Sequence, residues 1–243
     1  MKRVALFLWL VFVGLDVVAE STETLTPFLP IEIQLHDKAS LQRGAAFFMN
    51  YCSGCHSLRY LRYNRMAEDL GLTTFTGEIN RTLLTNNLIF TKASISSPIK
   101  ISMPPEDARQ WFGVVPPDLS LRARQRGAAW IYTYLNSFYA DKTRPFGTNN
   151  LLVRDVAMPD VLAPLSGRYI LSAKSHNLIQ VEAGEMTPQQ FRAATRDVVN
   201  FLVYVGEPSQ LIRYKIGVKV MLFLGIFTLL VYFLKKRVWR DVK

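Results

Sequence analysis

The chain has 243 residues, 49% of them hydrophobic, and a formal net charge of +10. That is enough for one domain of good size or two small ones, each with a core. The charge does not describe a nucleic-acid surface: residues 1–19 carry +1 and residues 213–243 carry +7, which leaves +2 for residues 20–212, so the basic character is a topology signal at the two ends.

Lys2 and Arg3 precede an apolar run from Val4 to Leu15, and Val17-Val18-Ala19 supplies small or β-branched residues for a cleavage site. Twelve apolar residues fall short of the ~20 that a membrane span needs. Residues 1–19 therefore read as a secretory signal, with the mature chain starting near Glu20. Residues 20–39 are polar, carry Pro27 and Pro30, and read as an extended arm. Ser40 is the expected N-cap of a helix over Leu41 to Tyr51. Its apolar stripe is Leu41, Ala45, Phe48 and Tyr51. Gly44 weakens that helix, and close approach of a second helix would explain it.

The helix runs into Cys52-Ser53-Gly54-Cys55-His56. A C-x-x-C-H run reads as a c-type haem attachment site. Each thiol adds across one vinyl group, and the histidine that follows lies beneath the iron. A zinc site needs four ligands; the chain has no other cysteine, and neither His36 nor His176 sits in a paired motif. A redox dithiol needs no histidine after it. Both cysteines are in this motif, so no structural disulfide is available. Export agrees with it, since c-type haem is attached outside the cytoplasm.

Residues 57–112 read as irregular structure with short helices: Ser57 to Leu70, Leu83 to Phe90 and Pro105 to Phe112, with breakers at Ser96-Ser97-Pro98 and Met103-Pro104-Pro105. Pro116-Pro117-Asp118-Leu119 is a rigid turn, Ala128 to Tyr139 an amphipathic helix, and Lys142 to Asn150 a polar loop. Thr187, Pro188 and Gln190 form a capping box that opens a helix. Phe191, Ala194, Val198, Phe201, Leu202 and Val205 line its apolar face, and Gly206 and Pro208 close it. That face is the expected partner of the helix carrying Gly44 and Phe48. Ile216 to Leu234 is nineteen residues with one charge, Lys219. At 1.5 Å per residue it covers ~28 Å, a membrane span. The cluster Lys235-Lys236-Arg237 puts the C-terminus in the cytoplasm; the signal puts the haem domain on the other side.

A haem used for electron transfer commonly has two protein ligands, and methionine opposite histidine raises its potential. Met49, Met66, Met103, Met158 and Met186 are the candidates, with His36 and His176 for a bis-histidine site. Met49 is too near His56 in sequence to reach the opposite face. Met66 and Met186 lie in helical patterns. Met103-Pro104 and Met158-Pro159 both suit a ligand loop stiffened by proline. They follow His56 by 47 and 102 residues, and spacing alone favours Met103 slightly.

Several stretches resemble the cytochrome c1 family in its proteobacterial form. They are Arg43-Gly44 with the haem motif, Trp111-Phe112-Gly113, Pro116 to Ser120, Ala129 to Leu135, Arg144-Pro145, Asn149-Asn150, and Gly206-Glu207-Pro208 with the span and basic tail. The resemblance implies a mainly α protein: an elaborated class I cytochrome c fold with long insertions, plus one C-terminal transmembrane helix. The implied layout is a signal (1–19), a periplasmic haem domain (20–212), an anchor (213–234) and a basic cytoplasmic tail (235–243), in the bacterial inner membrane. It implies one covalently attached haem c, with Met158 rather than Met103 as sixth ligand. A carbonyl at Pro116-Pro117 would orient His56, and Arg124 would bind a haem propionate, with Arg122 a sterically acceptable alternative. The implied partners are cytochrome b, the Rieske iron–sulfur protein, a c-type cytochrome acceptor and membrane lipid, with no nucleic acid, within a dimeric complex. The subunit would be the redox, not the catalytic, part of a ubiquinol–cytochrome c reductase (respiratory complex III); no general acid, base or nucleophile is arrayed in the sequence. A membrane-anchored cytochrome shuttle or oxidase subunit shares the signal and haem motif. It lacks the long insertion before Met158 and the Pro-Pro-Asp-Leu turn. A haem sensor needs a cytoplasmic output domain, and only nine residues follow Leu234.

Overall fold

The computed structural model describes residues 27–241, apart from Lys174 and His176. The expected signal at 1–19, the start of the arm and the His176 candidate therefore lie outside the described residues. In chain order the first elements are α1 (Lys38–Tyr51), β1 (Leu58–Arg62), α2 (Tyr63–Leu70), α3 (Arg81–Asn87), β2 (Pro98–Ile99), α4 (Pro105–Phe112), α5 (Arg122–Arg126) and α6 (Ala128–Leu135). Then come β3 (Phe138–Ala140), β4 (Thr148–Asn150), α7 (Ala163–Ser166), β5 (Gly167–Leu171), β6 (Leu178–Ala183), α8 (Pro188–Gly206) and α9 (Gln210–Val238). The strands form three separate antiparallel pairs, β1 with β2, β3 with β4 and β5 with β6. The fold is mainly helical, and the last two pairs sit in the long segment between α6 and α8.

The arm is extended as expected. Leu29, Ile31, Ile33 and Leu35 pack against the core and alternate with exposed neighbours, the period of two of a strand-like backbone. Leu29 N–H donates to Thr133 Oγ1 at 2.7 Å, and Gln34 exchanges two bonds with the Asn200 side chain at 2.9 and 3.0 Å.

Helix α1 starts three residues before the expected Leu41. Asp37, not Ser40, is its N-cap: the Asp37 carboxylate accepts from Ser40 N–H at 3.0 Å. The Ser40 hydroxyl points inward and donates to Asp197 at 2.6 Å. The expected pairing with α8 is present. At Gly44 a Cβ would sit 2.1 Å from the Asp197 carbonyl oxygen and 2.8 Å from Phe201 Cβ, so the two backbones nearly touch there. One turn on, the Phe48 and Phe201 rings lie 5.9 Å apart. Asp197, buried at this crossing, also takes Arg43 Nε at 2.6 Å, and Asn200 donates to Ser40 Oγ at 3.0 Å. The α8 capping box forms as expected, with Gln190 N–H on Thr187 Oγ1 and Thr187 N–H on Gln190 Oε1.

Two expected helices are shorter than their sequence patterns. Ser57–Leu70 divides into β1 and α2, because Leu58 pairs with Ile99 and is buried together with Leu61 while Arg59, Tyr60 and Arg62 face out. The Ala128–Tyr139 helix stops at Leu135, because the Asn136 side chain bonds Tyr132 O and Thr195 Oγ1 while Phe138–Ala140 pairs with β4. The supposed loop over 142–150 thus ends in a strand.

Helix α9 has 29 residues, about 43 Å of helix. Ile212–Val238 has a mean hydropathy of 2.2 and contains the expected span. It is long and apolar enough to cross a bilayer, and its apolar side chains are exposed along its length.

Candidate functional site

The haem motif continues α1 as a tight turn. Cys52 N–H and Ser53 N–H both donate to Phe48 O at 2.9 Å, and Cys52 O in turn accepts from Cys55 N–H at 3.1 Å and His56 N–H at 2.9 Å. Ser53 Oγ ties back to Met49 O at 2.7 Å. The turn fixes both cysteines and His56 at the end of a helix that is itself locked against α8. Both thiols are free. Burial, with a smaller effect of Cys55, pushes the Cys52 thiol up to about 12. Burial also raises Cys55.

The Pro116-Pro117 turn lies against this motif, as expected. His56 Nδ1 is 2.8 Å from Pro117 O. A carbonyl can only accept, so Nδ1 carries the proton and the lone pair stays on Nε2. Burial lowers the His56 pKa, opposed by the Pro117 bond and helped by the nearby Arg122 charge. The net lowering favours a neutral imidazole, the form that binds a metal.

Asp118 holds the turn in place, a role the sequence did not suggest. Its carboxylate accepts from Arg59 N–H and Ser120 N–H, each at 2.9 Å, and from Arg59 Nε at 3.2 Å. Leu119 N–H adds a backbone bond to Ser57 O at 2.9 Å. Burial alone would raise the Asp118 pKa; the bonds from Ser120 and Arg59 outweigh it and leave it lowered.

Met158 is half-buried, and Tyr134 Oη donates to its sulfur at 3.4 Å. The segment before it is tied down by Asn149-Asn150 and Arg144. Asn149 Oδ1 accepts from Asp155 N–H at 2.9 Å, Asn150 Nδ2 donates to Tyr134 O at 2.9 Å, and Arg144 pairs with Asp155 at 3.0 Å. These residues entered the family resemblance without a role; they fasten the Met158 segment to α6. Met103 stands elsewhere: Ile101 N–H donates to Ser57 Oγ at 3.1 Å, on the chain that continues directly from His56. His36 is exposed on the arm.

Arg122 and Arg124 share helix α5. Arg122 Nη1 is engaged by Gln125 at 2.8 Å. The Arg124 stem passes Gly206, where a Cβ would lie 3.1 Å from its Cγ, and its exposed guanidinium has no hydrogen bond or ion pair among the described residues.

The donor set fits a c-type haem. Two free thiols at the right spacing and an imidazole whose Nδ1 proton is already engaged are the donors such a group needs at the end of α1. Among the described residues no group of three or more His, Cys, Asp or Glu offers a rival metal site.

Comparison with known proteins finds similar chains. The chain is 50% identical to cytochrome c1 of Allochromatium vinosum over 220 residues, 86% of this chain and 87% of that one. It is 40% identical to the ammonia monooxygenase gamma subunit of Nitrosomonas europaea over 240 residues, 99% of each chain. A solved chain of a hyperthermophilic respiratory complex III covers 100% of this chain and 98% of its own, with a TM-score of 0.45 and 16% identity. The pattern described as the Cytochrome C1 family matches residues 31–242, and with the Allochromatium relative it establishes that this chain belongs to the cytochrome c1 family.

Proposed function

We propose that this chain is the haem c electron-transfer subunit of a ubiquinol–cytochrome c reductase. It would accept one electron from a Rieske iron–sulfur protein and pass it to a c-type cytochrome. When bound, the haem supplies the one-electron ferric–ferrous couple. Cys52 and Cys55 would hold it through thioether bonds, and His56 Nε2 and the Met158 sulfur would be the protein ligands of its iron. Pro117 O fixes the imidazole, and Arg124, with its guanidinium free, would meet a propionate. The observation that carries this reading is that each of the two expected ligands is tethered by its own partner. His56 is bonded to Pro117 O at 2.8 Å, while Met158 hangs from α6 through Tyr134 at 3.4 Å. The tie of Ile101 to Ser57 supports Met158 over Met103, because it keeps the Met103 segment beside the histidine strand.

The family and the apolar α9 support a single-pass anchor beside cytochrome b in the bacterial inner membrane, in a dimeric complex. The basic residues Lys235, Lys236 and Arg237 in its last turn support a cytoplasmic tail over 235–243, an anchor over 213–234 and a periplasmic haem domain over 20–212.

The test is the sulfur-to-iron charge-transfer band of ferric protein matured with its haem-attachment machinery. Loss in Met158→Leu and retention in Met103→Leu is expected; the reverse would move the site to a short cytochrome pocket. The Nitrosomonas relative favours a second reading, an electron-transfer subunit serving an oxygenase. Copurification with cytochrome b and antimycin-sensitive quinol oxidation would support the reductase. Purification with an oxygenase and no cytochrome b would support the alternative.

A further inference from the structure

Arg126, Trp130 and Tyr134 are spaced by four residues across α5 and α6. They form a continuous stack that ends on the Met158 sulfur. The Arg126 guanidinium lies 5.2 Å above the Trp130 ring. Trp130 and Tyr134 are stacked, 5.2 Å apart and 9° from parallel. Phe138 also meets Tyr134, in a T-shaped contact at 5.2 Å and 72°. Two rings thus hold the phenol. Along its own backbone, Tyr134 O accepts from Asn150 Nδ2 at 2.9 Å, which locks the helix end to the strand leading to Met158. The hydroxyl has its sulfur partner at 3.4 Å. Holding the ring plane in this way fixes where the phenol oxygen lies, at the Met158 sulfur.

A thioether sulfur has two lone pairs. One is needed for iron, and the other can accept a hydrogen bond. Accepting it withdraws density from the pair given to the metal. Ferric iron depends on that donation more than ferrous iron does, so the ferric state loses more. Hydrogen bonds to ligands are a recognised control of haem potential.

Building on the assignment of Met158 as axial ligand, we infer that Tyr134 is a positioning residue for that ligand: held by Trp130 and Phe138, its hydroxyl donates to the Met158 sulfur and raises the reduction potential of the haem. The effect of Tyr134 is exerted wholly through the sulfur.

The test is redox titration of the full-length, haem-loaded protein with the charge-transfer band recorded in parallel. Tyr134→Phe keeps the ring and both aromatic contacts and removes only the hydroxyl. The expected result is a lower midpoint potential with the band still present. The same substitution in a Met158→His background has no sulfur to act on and should leave the potential where Met158→His alone puts it. An unchanged potential in Tyr134→Phe, with the band intact, overturns the inference while leaving the ligand assignment standing. An equal shift in both backgrounds also overturns it, since the hydroxyl would then act on the haem directly. Persistence of the band in Met158→His alone overturns the ligand assignment itself.

Discussion

Replacing Gly44 with alanine sets two effects of opposite sign against each other. Alanine is the better helix former by about 1 kcal/mol, and α1 is the helix that delivers the haem motif. The added methyl, however, would lie 2.1 Å from the Asp197 carbonyl oxygen, 2.7 Å from its carbonyl carbon and 2.8 Å from Phe201 Cβ. Two of those atoms are α8 backbone, so no side chain can swing aside. Relief requires the two helices to part by about 1 Å, which loosens Phe48 on Phe201 and lengthens the bonds of Asp197. Overpacking of this kind costs roughly 1–3 kcal/mol, and a backbone clash belongs at the top of that range. The net expectation is a loss of about 2 kcal/mol, which for a domain of this size lowers the melting temperature by about 4–8 °C. Thermal unfolding of the haem-loaded protein in detergent, followed at the Soret band, measures it. A melting temperature equal to or above that of the parent would mean that propensity wins, and the close crossing of α1 and α8 would have to be abandoned.

Three further outcomes follow from the site. Asp118→Asn removes charge from the bonds that pin the Pro117 turn and should cost about 1–2 kcal/mol at pH 7. Because the folded pKa of Asp118 is lowered, its contribution is complete above the unfolded value of about 4 and is lost as pH falls through the folded one. Parent and variant stabilities should therefore converge in acid, and a gap that stays constant down to pH 2 would refute the assignment. In protein made without haem attachment, Cys52, pushed up to about 12, should alkylate more slowly at pH 8 than Cys55; peptide mass analysis of a time course reads this, and equal rates would contradict the stronger desolvation of Cys52. Thr187→Ala removes one arm of the α8 capping box and should cost about 1 kcal/mol, seen as a 2–4 °C drop in melting temperature; no change would mean that Gln190 and solvent satisfy that helix end alone.

Features legible in the sequence are those whose cause is local. The C-x-x-C-H run, the Thr187–Gln190 box and the apolar stretch of α9 each carry their reason within a few residues. Gly44 was legible as an anomaly, since a glycine inside a good helix asks for a neighbour, and α8 offered the matching face. Asp118 was hidden because its partner Arg59 is 59 residues away. Tyr134 was hidden too: a tyrosine one turn after a tryptophan reads as core, and only the fold brings Met158, 24 residues on, to its hydroxyl. Strand β1 was missed for the same reason, because Arg-Tyr-Leu-Arg has no strong preference until Ile99 arrives beside it. Asp37 displaced Ser40 as cap because the Ser40 hydroxyl had a better use at Asp197, 157 residues later.

That last separation governs the order in which the molecule can be assembled. A chain is made from its N-terminus, so α1 and its thiols are complete long before α8 exists. Until Asp197, Phe201 and Asn200 arrive, the face of α1 that meets α8 stays open and the arm lacks its anchor at Gln34. If the exported chain meets its attachment machinery before α8 docks, the motif would still be reachable, and closure of the α1–α8 crossing would then cover the attached group. A chain ended before Thr187 should still acquire covalent haem while failing to gain protease resistance, and absence of haem from such a chain would show that closure must come first.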